Sequence, residues 1–210
     1  MAPHWYAWHK LSTVDQAGGY TLRMQDSTPQ VVWESPWIRV EERRFAGRDG
    51  NERTYYSVHR PNPHTVHMLG LTPDGMVPLL RQWRVPLQNW VWELPAGVCD
   101  VEGEKPEDTA AREMIEETGW SPGEVIHLLT ATVSPGLTDE LYNAYLCLNL
   151  ERVGDGGGVG NERIEVRLVP FPQLLMFLME ASRVGDLVDA KIFAHITLAL
   201  GKLDDMTRQD

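Results

Sequence analysis

Residues 97–120 read GVCDVEGEKPEDTAAREMIEETGW, and this stretch decides what the rest of the chain has to be. Glu113, Glu116 and Glu117 stand at i, i+3 and i+4, so a helix places all three carboxylates on one face. The flanks support that helix. Pro106 suits the first helical position, Glu107 and Asp108 favour its positive end, and Gly119 suits the left-handed residue that closes it. Ala110, Met114 and Ile115 supply apolar positions for packing. Oxygen-only ligands at this density fit a hard cation, Mg²⁺ or Mn²⁺, rather than zinc.

The plain alternative is an acidic, solvated helix face. Repulsion does not decide the matter, because like charges at i,i+4 cost only ~0.2–0.5 kcal/mol per pair. The number of fixed positions does. The segment resembles the Nudix box, G-x5-E-x7-R-E-U-x-E-E-x-G-U with U a bulky apolar residue. Glu104, Arg112, Glu113, Met114, Glu116, Glu117, Gly119 and Trp120 match it in type and spacing. One departure stands out: Gly97 lies seven positions before Glu104, where the family pattern has six. The extra residue falls in loop 98–103, outside the helix, and leaves the acidic face intact.

A chain of 210 residues accommodates one full domain and an added subdomain. The hydrophobic fraction of 42% is that of an ordinary globular protein, and no apolar run has the length of a membrane span. The opening MAPHWYAWHKLST lacks the basic-then-apolar order of a secretory signal. Cys99 and Cys147 form no metal-ligand spacing, and the expectation is two free thiols in a reducing, cytoplasmic setting. A net charge of −11 argues against nucleic-acid or anionic-membrane partners. It also means that a phosphate-bearing substrate needs a local cationic site.

Residues 1–30 carry mixed signals, with Trp5, Tyr6 and Trp8 close together and a Gly18-Gly19 turn. Val31–Glu34, Trp37–Phe45 and Arg53–His59 read as strands, the last two joined at Asp49-Gly50. Pro61-Asn62-Pro63 marks a boundary, dividing an N-terminal β extension, 1–60, from a catalytic domain, 61–210. Thr65–Leu71, Val77–Trp83, the segment about Val91, Trp92 and Leu94, Val125–Val133, Leu141–Leu150 and Ile164–Val169 read as further strands. Leu174–Ala181 and Lys191–Leu203 have helical periodicity, the second capped by Asp189. The glycine-rich run 154–160 fails both phosphate-loop patterns and reads as a flexible connector. His59, His64 and His67 lack ligand spacing, and packing is the reading for them. No G-x-S-x-G is present to support a serine hydrolase.

Flanking residues narrow the resemblance. Glu93-Leu94-Pro95-Ala96-Gly97 resembles the E-[LF]-P-A-G stretch of ADP-ribose pyrophosphatases. Ser134-Pro135-Gly136, with Pro135 sixteen positions beyond Gly119, resembles the downstream proline signature of that branch. Asn161-Glu162-Arg163-Ile164-Glu165-Val166 looks like its catalytic-loop ending and Asp189-Ala190-Lys191 like the start of its last helix. The resemblance implies an α/β fold: a Nudix α/β/α sandwich with a mixed sheet, plus an N-terminal antiparallel β subdomain exchanged within a homodimer. It implies that Trp37 and Tyr55 sandwich a base, the alternative being interface or core packing. Tyr56 stands where some relatives carry an acidic residue against the base edge.

For the chemistry, the resemblance implies Glu113, Glu116, Glu117 and the Ala96 carbonyl as ligands of Mg²⁺, with Mn²⁺ a substitute. Arg112 orients the glutamates. Arg84 and Arg60 are candidate phosphate contacts, with a surface role the alternative for each. Glu162 is the candidate general base or mobile ligand, and Glu165 the reserve. Three functions are open: hydrolysis of ADP-ribose to AMP and ribose 5-phosphate, a broader GDP- or UDP-sugar pyrophosphatase, or a non-catalytic nucleotide-sensing module. The intact Arg112, Glu113, Glu116 and Glu117 set speaks against the third.

Overall fold

The computed structural model describes residues 28–47, 49–160 and 163–208. The readings that fall on residues 1–27 and on Glu162 lie outside these. Three strands, β1 (Gln30–Glu34), β2 (Arg39–Ala46) and β3 (Glu52–His59), form an antiparallel sheet in that order. The turn between β2 and β3 uses Gly50 at φ 77°. The strand expected from Trp37 begins two residues later. Ser35 Oγ accepts the N–H groups of Trp37 (3.2 Å) and Ile38 (3.1 Å), a local bond that holds 35–38 out of the ladder.

The rest of the chain runs through β4 (His64–Gly70), β5 (Met76–Arg84), β6 (Asn89–Glu93), β7 (Ala96–Val98), α1 (Pro106–Thr118), β8 (Trp120–Ser121), β9 (Glu124–Thr132), β10 (Leu141–Leu148), β11 (Glu151–Arg152), β12 (Ile164–Pro170), α2 (Leu174–Arg183), β13 (Leu187–Val188) and α3 (Lys191–Thr207). Two four-stranded sheets result, ordered β7-β4-β10-β9 and β12-β5-β6-β13. The β4–β10 and β6–β13 pairs are parallel and their neighbours antiparallel, so both sheets are mixed.

Strand β4 is buried on both faces from Thr65 to Gly70, so its apolar residues do not alternate with exposed ones. On one side Val66 and Met68, with Tyr145 and Cys147 of β10, pack against Ala110 and Met114 of α1. On the other, Leu69 and Leu146 join Leu79, Trp92, Leu174, Leu178, Ile192 and Ala199 in the larger core, which packs α2 and α3 against the sheets. Helix, sheet and helix therefore form the expected sandwich. His195 of α3, fully buried, sets its ring nitrogens 3.0 Å from the Lys191 carbonyl and 3.1 Å from that of His67, tying α3 to β4. Both cysteines are free thiols; burial pushes Cys147 up to about 12.

Three expectations need correction. Ile115 does not pack in the core: it is 38% exposed, one step round α1 from the buried Ala110–Met114 stripe. Asp189 is not the N-cap residue of α3, a position held by Ala190, although its Oδ1 does accept the Lys191 N–H at 2.9 Å. The glycine-rich run is not a free connector. Gly157 donates its N–H to the Glu117 carbonyl (2.8 Å) and Gly158 to that of Glu116 (3.1 Å), so the run satisfies the last carbonyls of α1.

Close approach explains Gly119 and Gly156. Gly119 closes α1 at φ 78°, and a Cβ on it would overlap the Gly154 carbonyl. Gly119→Ala is expected to cost more than about 1 kcal/mol and to lower Tm by several degrees. Calorimetry checks this, and an unchanged Tm would mean that segment 153–158 gives way freely.

Candidate active site

Helix α1 starts at Pro106 because Lys105 is extended and the missing proline N–H needs no partner there. Its first turn is tied back by Thr109 Oγ1, which donates to Glu104 Oε2 at 2.8 Å. Arg112 then gathers the carboxylates. Its guanidinium donates twice to Glu104 (3.1 Å each), once to Glu113 (2.8 Å) and once to Glu116 (3.4 Å). These bonds, that to Glu104 foremost, hold the Arg112 pKa above its ordinary value, while the same arginine draws Glu104 below the usual carboxylate range. The extra loop residue is absorbed in a turn where Glu104 N–H reaches the Val101 carbonyl (3.2 Å) and Gly103 takes φ 79°. Glu104 still arrives on Arg112 in bidentate fashion.

Strand β7 closes over this face. Glu117, 6% exposed, accepts the Ala96 N–H at 2.8 Å. A Cβ on Gly97 would overlap the Glu113 side chain, so any larger residue there would push that carboxyl from its place beside Arg112. Above them opens a cavity of about 910 Å³, lined by Ala96, Gly97, Arg112, Glu113, Glu116 and Glu117 together with residues of β4, β5, β6 and the start of α3. Seven carboxylates line it (Glu93, Asp100, Glu113, Glu116, Glu117, Glu140, Asp189) against four cations (Arg60, Arg84, Arg112, Lys191).

Among the described residues no three His, Cys, Asp or Glu side chains are gathered closely enough to hold a metal ion. Glu113 and Glu116 turn to Arg112, and Glu117 to the Ala96 N–H. The donor chemistry nevertheless fits a hard divalent cation: oxygen atoms only, on one helix face, with a surplus of negative charge.

The cavity unites Arg60, Arg84, Ala96, Arg112, Glu113, Glu116 and Glu117. Arg84 is held by Glu93, its Nε donating to Oε1 at 2.7 Å and its Nη2 to Oε2, a pair that raises the arginine pKa. Trp37 and Tyr55 are not among the cavity residues. Trp37 is 79% exposed, and the Tyr55 hydroxyl donates to the Gly136 carbonyl. Glu165 also points elsewhere. In the β5–β12 register it lies opposite Arg81, while Ile164 lies opposite the cavity residue Gln82. Arg81 Nη1 donates to Glu165 at 3.2 Å.

The sequence reading missed Glu93, Glu140, Asp189, Lys191 and His67 as cavity residues. Glu93 carried a signal, as the one acid in the strand Asn89–Glu93 whose last three residues are buried. Lys191 pairs with Asp189 at 2.5 Å. Burial foremost, with the Lys191 cation nearby, pushes His67 well below the usual histidine range.

The NUDIX domain pattern matches residues 61–190. The chain belongs to the Nudix family. This Nudix protein is 31% identical over 138 residues to the ADP-ribose pyrophosphatase of Bacillus subtilis, covering 65% of this chain and 74% of that one. It is 36% identical over 142 residues to the GDP-mannose pyrophosphatase of Escherichia coli strain K12, covering 63% and 70%. A crystal structure of an ADP compounds hydrolase superposes with a TM-score of 0.70 at 21% identity, covering 86% of this chain and 94% of that one, and shares the fold. The chain is a Nudix hydrolase of the branch that includes the ADP-ribose pyrophosphatases. Among its described residues no helix is long and apolar enough to cross a membrane.

Proposed function

We propose that this Nudix hydrolase cleaves the diphosphate of ADP-ribose to AMP and ribose 5-phosphate, with Mg²⁺ as its cation. The observation that carries the reading is the charge of the cavity. A dianionic diphosphate enters a space lined by seven carboxylates and four cations only with a divalent cation to balance it. Glu113, Glu116, Glu117 and the Ala96 carbonyl would hold it, after the carboxylates turn from Arg112 and the Ala96 N–H. A divalent cation there neutralises the charge that develops on the diphosphate oxygens and makes water a stronger acid.

The chain's own groups do the remainder. Arg112 keeps the carboxylates aligned, and Glu93 holds the Arg84 guanidinium in position to meet a phosphate. Arg60 offers a further cation in the cavity lining. Glu162 takes the proton of the attacking water, on the strength of its place in the sequence. The relative named for GDP-mannose supports a second reading, a broader nucleoside diphosphate sugar pyrophosphatase. Steady-state assay of the purified protein on ADP-ribose, NADH, GDP-mannose and UDP-glucose tests both. The highest kcat/KM is expected with ADP-ribose; a clear preference for GDP-mannose would transfer the assignment to the second reading, and no turnover of any would leave a sensing module.

The dimer belongs to the same proposal. All of β1 is exposed, as are Val31, Val32, Trp33, Trp37 and Tyr56, an apolar surface that a second subunit would cover. Trp37 would then serve the base pocket of the partner, and residues 1–60 would be the dimerising extension. Light scattering at micromolar concentration is expected to give twice the chain mass; a monomer would remove the composite pocket. A cytoplasmic location is proposed from the two free thiols.

A further inference from the structure

The N-terminal sheet meets the catalytic domain at loop 134–140, and one buried histidine stands at the junction. His59 ends β3 and is 8% exposed. Its Nδ1 lies 2.7 Å from Asp139 Oδ2 in the loop, a bond in which the ring donates to the carboxylate. Its Nε2 lies 2.8 Å from Ser57 Oγ and 3.3 Å from Glu41 Oε2, both on the sheet. Beside it, Val58 donates its N–H to the Leu137 carbonyl at 2.8 Å, and the Tyr55 hydroxyl donates to that of Gly136.

The next residue on each side of this junction belongs to the cavity. Arg60 follows His59, Glu140 follows Asp139, and both line the cavity. We infer that His59 is a positioning residue: by clasping Asp139 it fixes Arg60 and Glu140 in the register that receives substrate. The serine–histidine–aspartate order is also that of a nucleophile triad. Glu41 crowds the same Nε2, however, and none of Ser57, His59 and Asp139 lines the cavity, so the cluster acts by holding rather than by attack.

The inference rests on the substrate reading for its kinetic test only. Asparagine places an amide nitrogen near the Nδ1 position and can still donate to Asp139, whereas glutamine reaches towards the Nε2 position and cannot do both. His59→Ala, His59→Gln and Asp139→Ala are expected to raise KM about tenfold, with kcat within about twofold of the parent. His59→Asn should recover most of the loss. The His59→Ala/Asp139→Ala pair should be no worse than either change alone, because both break one bond. A His59→Asn protein as impaired as His59→Ala, additive losses, or a fall in kcat at unchanged KM would overturn the clasp.

Hydrogen exchange separates this from the substrate question. Without substrate, the Val58 amide and loop 134–140 should exchange faster in His59→Ala and keep parental protection in His59→Asn. Equal protection in all three proteins would overturn the clasp. If the parent hydrolyses none of the nucleoside diphosphates tested, the substrate reading falls and exchange alone decides the clasp.

Discussion

Glu117→Gln is expected to lower turnover at least about a hundredfold while the fold persists. The two halves of that expectation have separate causes. Glu117 is nearly buried, and its Oε2 accepts the Ala96 N–H that anchors β7 to α1. A glutamine oxygen can accept the same bond, so the melting temperature should move little. The lost element is the charge. Glutamine removes one of the three carboxylate charges of the α1 face, a charge whose field also reaches the Arg84 guanidinium. Turnover measured across a Mg²⁺ titration checks the assignment. Near-parental activity at saturating Mg²⁺ would remove Glu117 from the ligand set, and partial recovery at high Mg²⁺ would show weakened affinity rather than lost chemistry.

The second large effect concerns Glu162. Its conversion to glutamine is expected to lower kcat by about 10²-fold or more and to leave KM nearly unchanged, since a general base acts in the transition state. Glu165→Gln should be mild. The structure supplies a reason the sequence could only suggest: Glu165 faces Arg81, its side chain is 58% exposed, and it is absent from the cavity lining. Losing that exposed pair costs little. A reversed order of effects would mean that the catalytic-loop alignment is displaced by three residues. If neither change mattered, the box glutamates themselves would have to activate the water. Initial rates of both variants at fixed Mg²⁺ distinguish these outcomes.

Much of this was legible in the sequence because short-range rules govern it. Pro106 and Gly119 mark the ends of α1, and the spacing of Glu113, Glu116 and Glu117 fixes one face whatever the tertiary context. The longer strands followed from apolar patterning, with end errors such as Trp37, where a serine side chain captured two backbone groups; the short β7, β8, β11 and β13 carried no such pattern and were missed. Long-range contacts carried no such signal. The bonding of Gly157 and Gly158 to the end of α1 joins segments about forty residues apart, and glycine spacing alone reads equally as slack chain. The Arg84–Glu93 and His59–Asp139 pairs depend on strand pairing and loop placement, which a single chain of letters does not specify. Trp37 and Tyr55 raise a different issue. Their expected role requires a second subunit, and one folded chain leaves them outside its own cavity.

The acidic lining of the cavity also bears on the fate of the products once the bond is cleaved. Hydrolysis of a nucleoside diphosphate sugar turns one diphosphate into two phosphomonoesters, each carrying about −1.5 to −2 charge at neutral pH. The total negative charge in the cavity therefore rises just as the covalent link between the two halves disappears. Cations that sufficed for the substrate no longer balance the products against seven carboxylates. Repulsion between products and wall favours their departure, with each fragment leaving on its own. On the proposed reaction, a surface poorly suited to capturing an anion is thus suited to discarding two.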